Sequence, residues 1–249
     1  MSEDPTQTRA AQEGSTLAGQ VILVTGGARR LGRAIGEELW SHGATIVVHH
    51  HRSTEEAQEL AQRLGERVLL VVADLRDRTA TQAMFAEVKS QLGRIDGLVN
   101  SAAVFGRTPI ASLSDEEWDE VLAVNLSAPR RCMQLAIAAG ATAIVNVVDL
   151  AATQPWRGYA AYGVAKAGLL QLTRIAAKEL IGQVRVNAVA PGLILLPDDV
   201  TAAERERLLA KVKGQRPGTP LDVARAVRYL LSEPFLTGVC LPVDGGQGL

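Results

Sequence analysis

The sequence predicts a doubly wound α/β fold, in which a parallel sheet of about seven strands is covered by helices on both faces. Seven short apolar runs recur along the chain, and they are rich in Val, Ile and Leu at successive positions, as in strands buried on both sides. Amphipathic helical patterns separate these runs, and this repeated alternation indicates parallel strand pairing. The predicted strands are 21–25, 44–50, 68–73, 95–100, 141–148, 184–190 and 238–243.

Two of the predicted helices begin with the spacing of a capping box. Ser53 is followed three residues later by Glu56, and Ser114 is followed in the same way by Glu117. Residues 1–16 are polar and carry too little apolar surface to offset the entropy of ordering, so a disordered tail is predicted there. The remainder, 17–249, shows no linker and no repeat, which predicts a single domain.

Charge and composition exclude several classes of function. The 249 residues contain 26 basic and 27 acidic side chains, which counts against a bulk electrostatic grip on nucleic acid or an anionic membrane. No apolar run approaches the roughly 20 residues of a transmembrane helix, and the N-terminus lacks the apolar stretch of a signal peptide. Cys132 and Cys240 are too few for a disulfide framework. We therefore expect a cytoplasmic protein that acts on a small molecule.

A glycine-rich turn follows the first predicted strand and leads directly into a helix. It runs from Thr25 to Gly32 with the sequence TGGARRLG. Glycine lets the backbone turn tightly and approach a pyrophosphate, which then lies at the positive end of the helix. In this context the turn predicts a Rossmann-type dinucleotide site, with Arg30 placed to contact phosphate oxygens or a polar edge of the substrate.

The end of the second strand favours NADP(H) over NAD(H). The segment reads HHHRS, and no acidic residue stands there to bind ribose hydroxyl groups. Arg52 and Ser53 instead offer donors to a 2′-phosphate. His49 and His51 could share one strand face, but no nearby carboxylate or thiol completes a metal site, so none is predicted. The histidines are expected to pack around the ribose and phosphate or to cap the strand.

Tyr162 and Lys166 are spaced four residues apart in a strongly helical pattern and should face the same way. A phenol has a pKa near 10 and exchanges protons poorly at neutral pH. A neighbouring ammonium, helped by the positive charge of an oxidised nicotinamide, favours the phenolate, so Lys166 is expected to lower the pKa of Tyr162. The pair suits proton transfer coupled to hydride transfer.

These motifs, in this order, resemble those of the short-chain dehydrogenase/reductase family. The turn resembles the family's T-G-x-x-x-G-x-G, with Arg30 in place of the middle glycine, and NSAA at 100–103, VNL around Asn125, PG at 191–192 and VDGG at 243–246 resemble later motifs. The resemblance implies catalytic roles for Asn125, Tyr162 and Lys166, and a homotetramer. Implied cofactor contacts are Gly26, Arg30, Leu31, Gly32, His51, Arg52, Ser53, Asp74, Leu75, Asn100, Ser101, Ala102, Tyr162, Lys166, Pro191 and Gly192.

Asp149 occupies the position of the family's catalytic serine, thirteen residues before Tyr162. Its pKa is expected to be raised by burial and by nearby phosphate charge. Together with Arg30, the HHHRS segment and Phe105, this aspartate resembles the pteridine reductase subgroup. That resemblance implies reduction of a dihydropterin or oxidised pterin, with Phe105 stacking on the ring, Arg30 positioning it, and Tyr162 and Asp149 managing the proton.

Two other functions stay open at this stage. A carbonyl reductase of the same family, acting on a 3-oxoacyl thioester or another ketone, needs a donor to the carbonyl oxygen where Asp149 now stands. A non-catalytic NADP-binding sensor is opposed by the retained Tyr162, Lys166 and Asn125. The segment 201–215 is predicted to be a helix, either a lid over the substrate or an ordinary surface helix.

Overall fold

The seven predicted strands form one all-parallel sheet in the computed structural model, which describes residues 17–195, 201–214 and 216–249. The strand order is β3-β2-β1-β4-β5-β6-β7, and every neighbouring pair is parallel. The predicted fold class is therefore confirmed, whereas the tail predicted at 1–16 lies outside the described residues. The strands are β1 (Val21–Thr25), β2 (Thr45–His50), β3 (Val68–Val72), β4 (Gly97–Asn100), β5 (Ala143–Val147), β6 (Arg185–Pro191) and β7 (Cys240–Val243).

Helices cover both faces of the sheet and bury its alternating side chains. The helices are α1 (Arg30–Ser41), α2 (Thr54–Leu64), α3 (Arg78–Leu92), α4 (Asp115–Leu122), α5 (Ala128–Ala138), α6 (Ala160–Glu179), α7 (Ala202–Leu209) and α8 (Pro220–Ser232). On β1, Ile22 and Val24 pack with α1, α2 and α8, while Leu23 packs with α3, α5 and α6 on the other face. Both faces of this strand are covered by apolar side chains, which is why it carries hydrophobic residues at successive positions.

Of the two predicted capping boxes, the one at α4 is present, and the prediction of the one at α2 is wrong. At α4 the Ser114 hydroxyl accepts from the Glu117 N–H, and the Glu117 carboxylate accepts from the Ser114 N–H. At α2 the Ser53 side chain makes no capping hydrogen bond among the described residues. The backbone of Ser53 has φ −91° and ψ 57°, which departs from the extended conformation that points an N-cap side chain at the first turn.

The helix predicted over 201–215 is shorter than expected, because α7 ends at Leu209. After it, the Val212 side chain is buried, and the Gly214 N–H donates to the Gly245 carbonyl at 2.8 Å. These contacts with the C-terminal segment require a non-helical backbone after Leu209. Within the described ranges, no helix is long and apolar enough to cross a bilayer.

The sheet order places a crevice at the carboxyl ends of β1 and β4. The chain runs outward from β1 through β2 to β3 and then returns to β4, which lies on the other side of β1. At such a switch point the two following loops diverge to opposite faces and leave space for a ligand. The segments that follow these two strands are those singled out by the sequence.

Candidate active site

The glycine-rich turn is built so tightly that side chains are excluded at two positions. Gly26 has φ +65°, and a Cβ there would lie 2.9 Å from the Cα of Ala102. A Cβ on Gly32 would collide with the Gly26 carbonyl oxygen. No described side chain caps the N-terminus of α1, whose first turn carries no acidic residue. The turn and the helix end therefore suit an anionic phosphate group.

Arg30 stands in the turn with a left-handed backbone. Its φ is +49°, and its side chain is exposed. This conformation costs a residue with a side chain about 1 kcal/mol or more, whereas glycine adopts it readily. The strain is consistent with the glycine that the family pattern has at this position.

Replacing Arg30 with Gly is expected to leave the unfolding free energy within about 1 kcal/mol of wild type, because relief of strain offsets the added chain entropy. NADPH and substrate affinity should fall, because the guanidinium is lost. Arg30→Ala is the matched control, since it loses the same guanidinium but keeps the strained backbone. Urea unfolding and NADPH titration of both variants measure the two effects. An unchanged affinity in both would contradict a binding role for Arg30.

The segment after β4 is tied to the end of β1 by one hydroxyl group. The Thr25 hydroxyl accepts from the Ser101 N–H at 3.0 Å and from the Ala102 N–H at 3.1 Å. Asn100, at the end of β4, donates to the Asn146 side chain at 2.8 Å in a buried contact. These bonds hold the segment against the glycine-rich turn, where the resemblance implies cofactor contacts.

The residues expected to bind the ribose and the 2′-phosphate of the cofactor lie after the carboxyl ends of β2 and β3. His51 and Arg52 are exposed and Ser53 is half-buried, so all three are accessible to a phosphate. The Asp74 carboxylate is engaged by the Arg76 guanidinium, with nitrogen–oxygen distances of 2.7 to 3.1 Å. This contact with Arg76 lowers the pKa of Asp74 to about 2. Sequence reasoning missed Arg76, although it lies only two residues after Asp74.

Leu75 and the PG motif contribute main-chain geometry. The Leu75 carbonyl accepts from the Arg131 guanidinium at 2.7 Å, which fixes the chain after β3. Pro191 ends β6, and a Cβ on Gly192 would lie 2.7 Å from the Cβ of Asp244. Close packing against the C-terminal segment therefore requires glycine at this position.

Asp149 and Tyr162 are joined directly. The Tyr162 hydroxyl donates to Oδ2 of Asp149 at 3.1 Å, and the Ala151 N–H donates to Oδ1 at 2.9 Å. Asp149 follows β5, and Tyr162 lies in the first turn of α6. The thirteen-residue separation thus places a carboxyl group where it can exchange a proton with the phenol.

Burial raises the pKa of both groups. Removal from water raises the pKa of Asp149 above its ordinary 3.8, as the sequence predicts. It also raises the pKa of Tyr162, and the adjacent Asp149 charge raises it further. The sequence predicted a lowered pKa for Tyr162 from Lys166 together with an oxidised nicotinamide. Lys166 alone does not lower it, because burial and Asp149 both raise it. Tyr162 remains a protonated phenol at neutral pH.

Lys166 is fully inside the protein and points at the main chain. Its Nζ donates to the Val147 carbonyl at 2.8 Å and lies 5.6 Å from the centroid of the Tyr162 ring. Burial lowers the pKa of Lys166 to about 8, although the Asp149 charge acts in the opposite direction. The amine therefore keeps its positive charge at neutral pH, beside the Tyr162 ring.

Asn125 lies in a π-helical turn, Ala123–Ser127, between α4 and α5. Its side-chain NH2 donates to the carbonyls of Val104 at 2.9 Å and Val121 at 3.0 Å. Its Oδ1 is buried and accepts no hydrogen bond from any described residue. The sequence marked Asn125 but gave no sign of the π-helical turn, which often accompanies a functional site.

Three aromatic side chains, Phe105, Tyr159 and Trp156, form a cluster beside Tyr162. The Phe105 ring stacks on Tyr159 with centroids 5.0 Å apart and meets Tyr162 edge-on at 4.9 Å, yet 58% of Phe105 is exposed. Trp156 contacts Tyr159 at 5.9 Å. A cleft of about 240 Å³ opens between this group and α4. Sequence reasoning missed Tyr159, although its position three residues before Tyr162 could have indicated it.

No group of three or more metal-ligating side chains comes together within the described ranges.

The arrangement is a glycine-rich turn at a sheet switch point, with a Tyr–Lys pair and a carboxyl group beside it. Such a fold and site define the class of dinucleotide-dependent oxidoreductases.

Comparisons with known proteins agree with this class. A family model described as enoyl-(acyl carrier protein) reductase matches residues 15–247. A 3-oxoacyl-(acyl-carrier-protein) reductase from Staphylococcus aureus is 32% identical over 237 residues, covering 90% of this chain and 96% of the relative. Pteridine reductase 1 from Leishmania tarentolae is 36% identical over 280 aligned positions, covering 92% and 96%.

Solved structures show the same relationship. A dehydrogenase/reductase from Sinorhizobium meliloti 1021 superposes with a TM-score of 0.91 at 31% identity, covering 96% of this chain and all of that one. A short-chain dehydrogenase/reductase variant from Serratia marcescens gives 0.88 at 30% identity, covering 94% and 100%. This chain belongs to the short-chain dehydrogenase/reductase family of oxidoreductases, whose members use nicotinamide cofactors.

Proposed function

We propose that this protein is an NADPH-dependent reductase of pterins, which converts a dihydropterin or an oxidised pterin to the tetrahydro form. The observation that carries the proposal is the hydrogen bond from Tyr162 to Asp149, where a carbonyl reductase of the family has a serine. The similarity to a pteridine reductase supports the same substrate class.

The proposed cofactor fits the residues at the carboxyl edge of the sheet. The glycine-rich turn and the uncapped start of α1 offer N–H groups to a pyrophosphate. His51, Arg52 and Ser53 offer donors to a 2′-phosphate, and the Asp74 carboxylate is held by Arg76. This donor set favours NADP(H) over NAD(H).

When bound, the cofactor supplies the hydride. Lys166 would help to hold the nicotinamide ribose, and it keeps positive charge beside the Tyr162 ring. Tyr162 gives its hydroxyl proton to the substrate, and Asp149 in its protonated form returns a proton to the phenolate oxygen. Asn125 anchors the chain at Val104, next to Phe105.

Phe105 and Arg30 position the planar substrate. The exposed part of the Phe105 ring provides an apolar surface on which a flat heterocycle can stack. Its contacts with Tyr159 and Tyr162 keep that surface next to the proton donor. Arg30 and Asp149 then offer a donor and an acceptor to the polar edges of a pterin.

The proposal is tested by NADPH oxidation at 340 nm, with a dihydropterin compared against an acetoacetyl thioester and with NADH run in parallel. We expect turnover of the pterin, a preference for NADPH, and loss of turnover in Asp149→Ser. Turnover of the thioester alone would overturn the proposal.

A reductase of 3-oxoacyl thioesters or other ketones is the second candidate. It is favoured by the similarity to 3-oxoacyl-(acyl-carrier-protein) reductases, which this chain matches over nearly their whole length. Tyr162, Lys166 and Asn125 serve either substrate. An ionised Asp149 would repel the negative charge that develops on a carbonyl oxygen, so Asp149→Ser should raise ketone turnover if this function is correct.

The raised pKa of Asp149 predicts a pH dependence. Protonated Asp149 resupplies Tyr162, so kcat should fall as the pH rises through the pKa of Asp149. Because burial raises that pKa, the fall lies at higher pH than for an ordinary aspartate. The pH profile of kcat measures this limb, and the residual rate of Asp149→Asn should lack it. An identical limb in the variant would assign the titration to another group.

A further inference from the structure

The imidazole of His49 connects three segments at the carboxyl edge of the sheet. Its Nδ1 lies 3.0 Å from the Gly26 amide nitrogen, and its Nε2 lies 3.1 Å from the Ala73 carbonyl oxygen. The carbonyl of His49 also accepts from the Gly27 N–H at 2.9 Å. Two consecutive N–H groups of the glycine-rich turn therefore end on one residue of β2, and the same side chain reaches the chain leaving β3.

These partners allow only one form of the ring. The Gly26 N–H can only donate, so Nδ1 must accept, and the Ala73 carbonyl can only accept, so Nε2 must carry the proton. A protonated imidazole would turn a second N–H toward Gly26. His49 is 3% exposed, and this burial lowers its pKa to about 4, so the neutral ring persists at neutral pH. The titratable groups that act on it are His50 at the end of β2, His51 directly after that strand, and Asp74 after β3.

The three connected segments are those to which the proposed function assigns the two ends of the cofactor. The turn takes the pyrophosphate, whereas Arg52 and Asp74 stand three residues after His49 and one after Ala73, where the adenosine is proposed to lie. A rigid connection between these ends presents both subsites at one fixed separation. Fixing a site before the ligand arrives lowers the entropic cost of binding.

We propose that His49 is a positioning residue for the dinucleotide, which fixes the glycine-rich turn relative to the adenosine subsite through its two ring nitrogens. This inference rests on the proposed binding of NADP(H). It assigns neither of the buried residues His49 and His50 a contact with the cofactor, in contrast to the expectation that the histidines pack around the ribose and phosphate. An apolar aromatic side chain in place of His49 leaves the half-buried Gly26 N–H without its acceptor.

The test compares His49→Phe with His50→Phe in the full-length protein. His50 is the adjacent residue, is equally buried at 3% exposure, and its Nδ1 has no hydrogen-bond partner among the described residues. NADPH binding is followed by fluorescence titration, and steady-state kinetics give KM and kcat. We expect His49→Phe to weaken NADPH binding and raise its KM by about 10- to 100-fold, with kcat changed by less than about threefold. His50→Phe should leave the affinity within about threefold of wild type.

Two further measurements separate positioning from a general loss of structure. Binding of 2′-AMP, which reaches only the adenosine subsite, should be unchanged in His49→Phe, whereas an equal loss for 2′-AMP and NADPH would overturn the inference. Nitrogen-15 spectra of the wild-type ring at pH 7 should show the proton on Nε2. A proton on Nδ1 would overturn the inference even if the variant fails to fold.

The same titrations distinguish this inference from the proposed cofactor. Wild-type protein that binds NADH and not NADPH would overturn the preference for NADP(H), and the two Phe variants are then compared with NADH. Equal affinity of both variants and wild type for whichever dinucleotide binds would overturn the role of His49 alone. Wild-type protein that binds neither dinucleotide would overturn both.

Discussion

Replacing Tyr162 with Phe is expected to lower kcat by about 100- to 10,000-fold, which is the range contributed by a positioned proton donor. Only the hydroxyl that donates to Asp149 is removed, while the ring keeps its packing against Phe105 and Lys166. Burial raises the pKa of this phenol, so at neutral pH the wild-type enzyme carries the proton that reduction consumes.

The measurement is single-turnover NADPH oxidation, with NADPH affinity determined separately. Affinity should stay within about threefold of wild type, since the phenol acts in the chemical step. Tyr159→Phe is the matched control, because it removes a hydroxyl from the neighbouring aromatic ring and preserves the stack on Phe105. We expect its kcat to remain within about threefold. A Tyr162→Phe variant that keeps most of its kcat would assign proton delivery to another group.

Replacing Gly32 with Ala is expected to destabilise the protein by about 3 kcal/mol or more, or to prevent its folding. The added methyl group would collide with the Gly26 carbonyl oxygen and carbon, which are backbone atoms that cannot rotate away. Movement of the turn would also break its bonds to His49. Loss of NADPH binding should therefore accompany the loss of stability.

Gly36→Ala provides the control within the same helix. A Cβ at Gly36 meets only the Ile46 methyl group at 3.6 Å, an ordinary contact distance. Alanine in a helix interior is favoured over glycine by roughly 0.5–1 kcal/mol, so this variant should be as stable as wild type or more stable. Urea unfolding of the two variants measures the contrast. Equal stability of both would contradict the tight packing of the turn.

The sequence predicted the seven strands and their parallel pairing, because central strands such as β1 and β4 are fully buried. Runs such as Val21–Thr25 allow no other placement in a chain of this length, and the helical patterns between them require parallel pairing. The structure confirms all seven strands, their parallel pairing and the helices on both faces of the sheet. Helix ends were harder to predict, because the ends of α2 and α7 depend on local backbone angles and on docking against distant segments.

The sequence predicted which residues form the candidate site, but it did not predict the direction in which the pKa of Tyr162 is shifted. Spacing alone placed Tyr162 beside Lys166, but the direction of the Tyr162 pKa shift depends on burial and on the distance to Asp149, neither of which spacing gives. Arg76 was missed, because its partner Asp74 was assigned to the cofactor. The π-helical turn around Asn125 leaves no signature in an otherwise helical pattern.

The sequence by itself determined the order of elements, the glycine-rich turn and the identity of the groups that can carry charge and protons, because these follow from residue type and periodicity. Only the tertiary structure decided which groups meet and in which protonation state. It brought Asp149 to Tyr162, turned Lys166 toward the Val147 carbonyl and placed His49 between Gly26 and Ala73. The physical reason is that hydrogen bonds and desolvation depend on distances of a few ångströms between residues far apart in the chain.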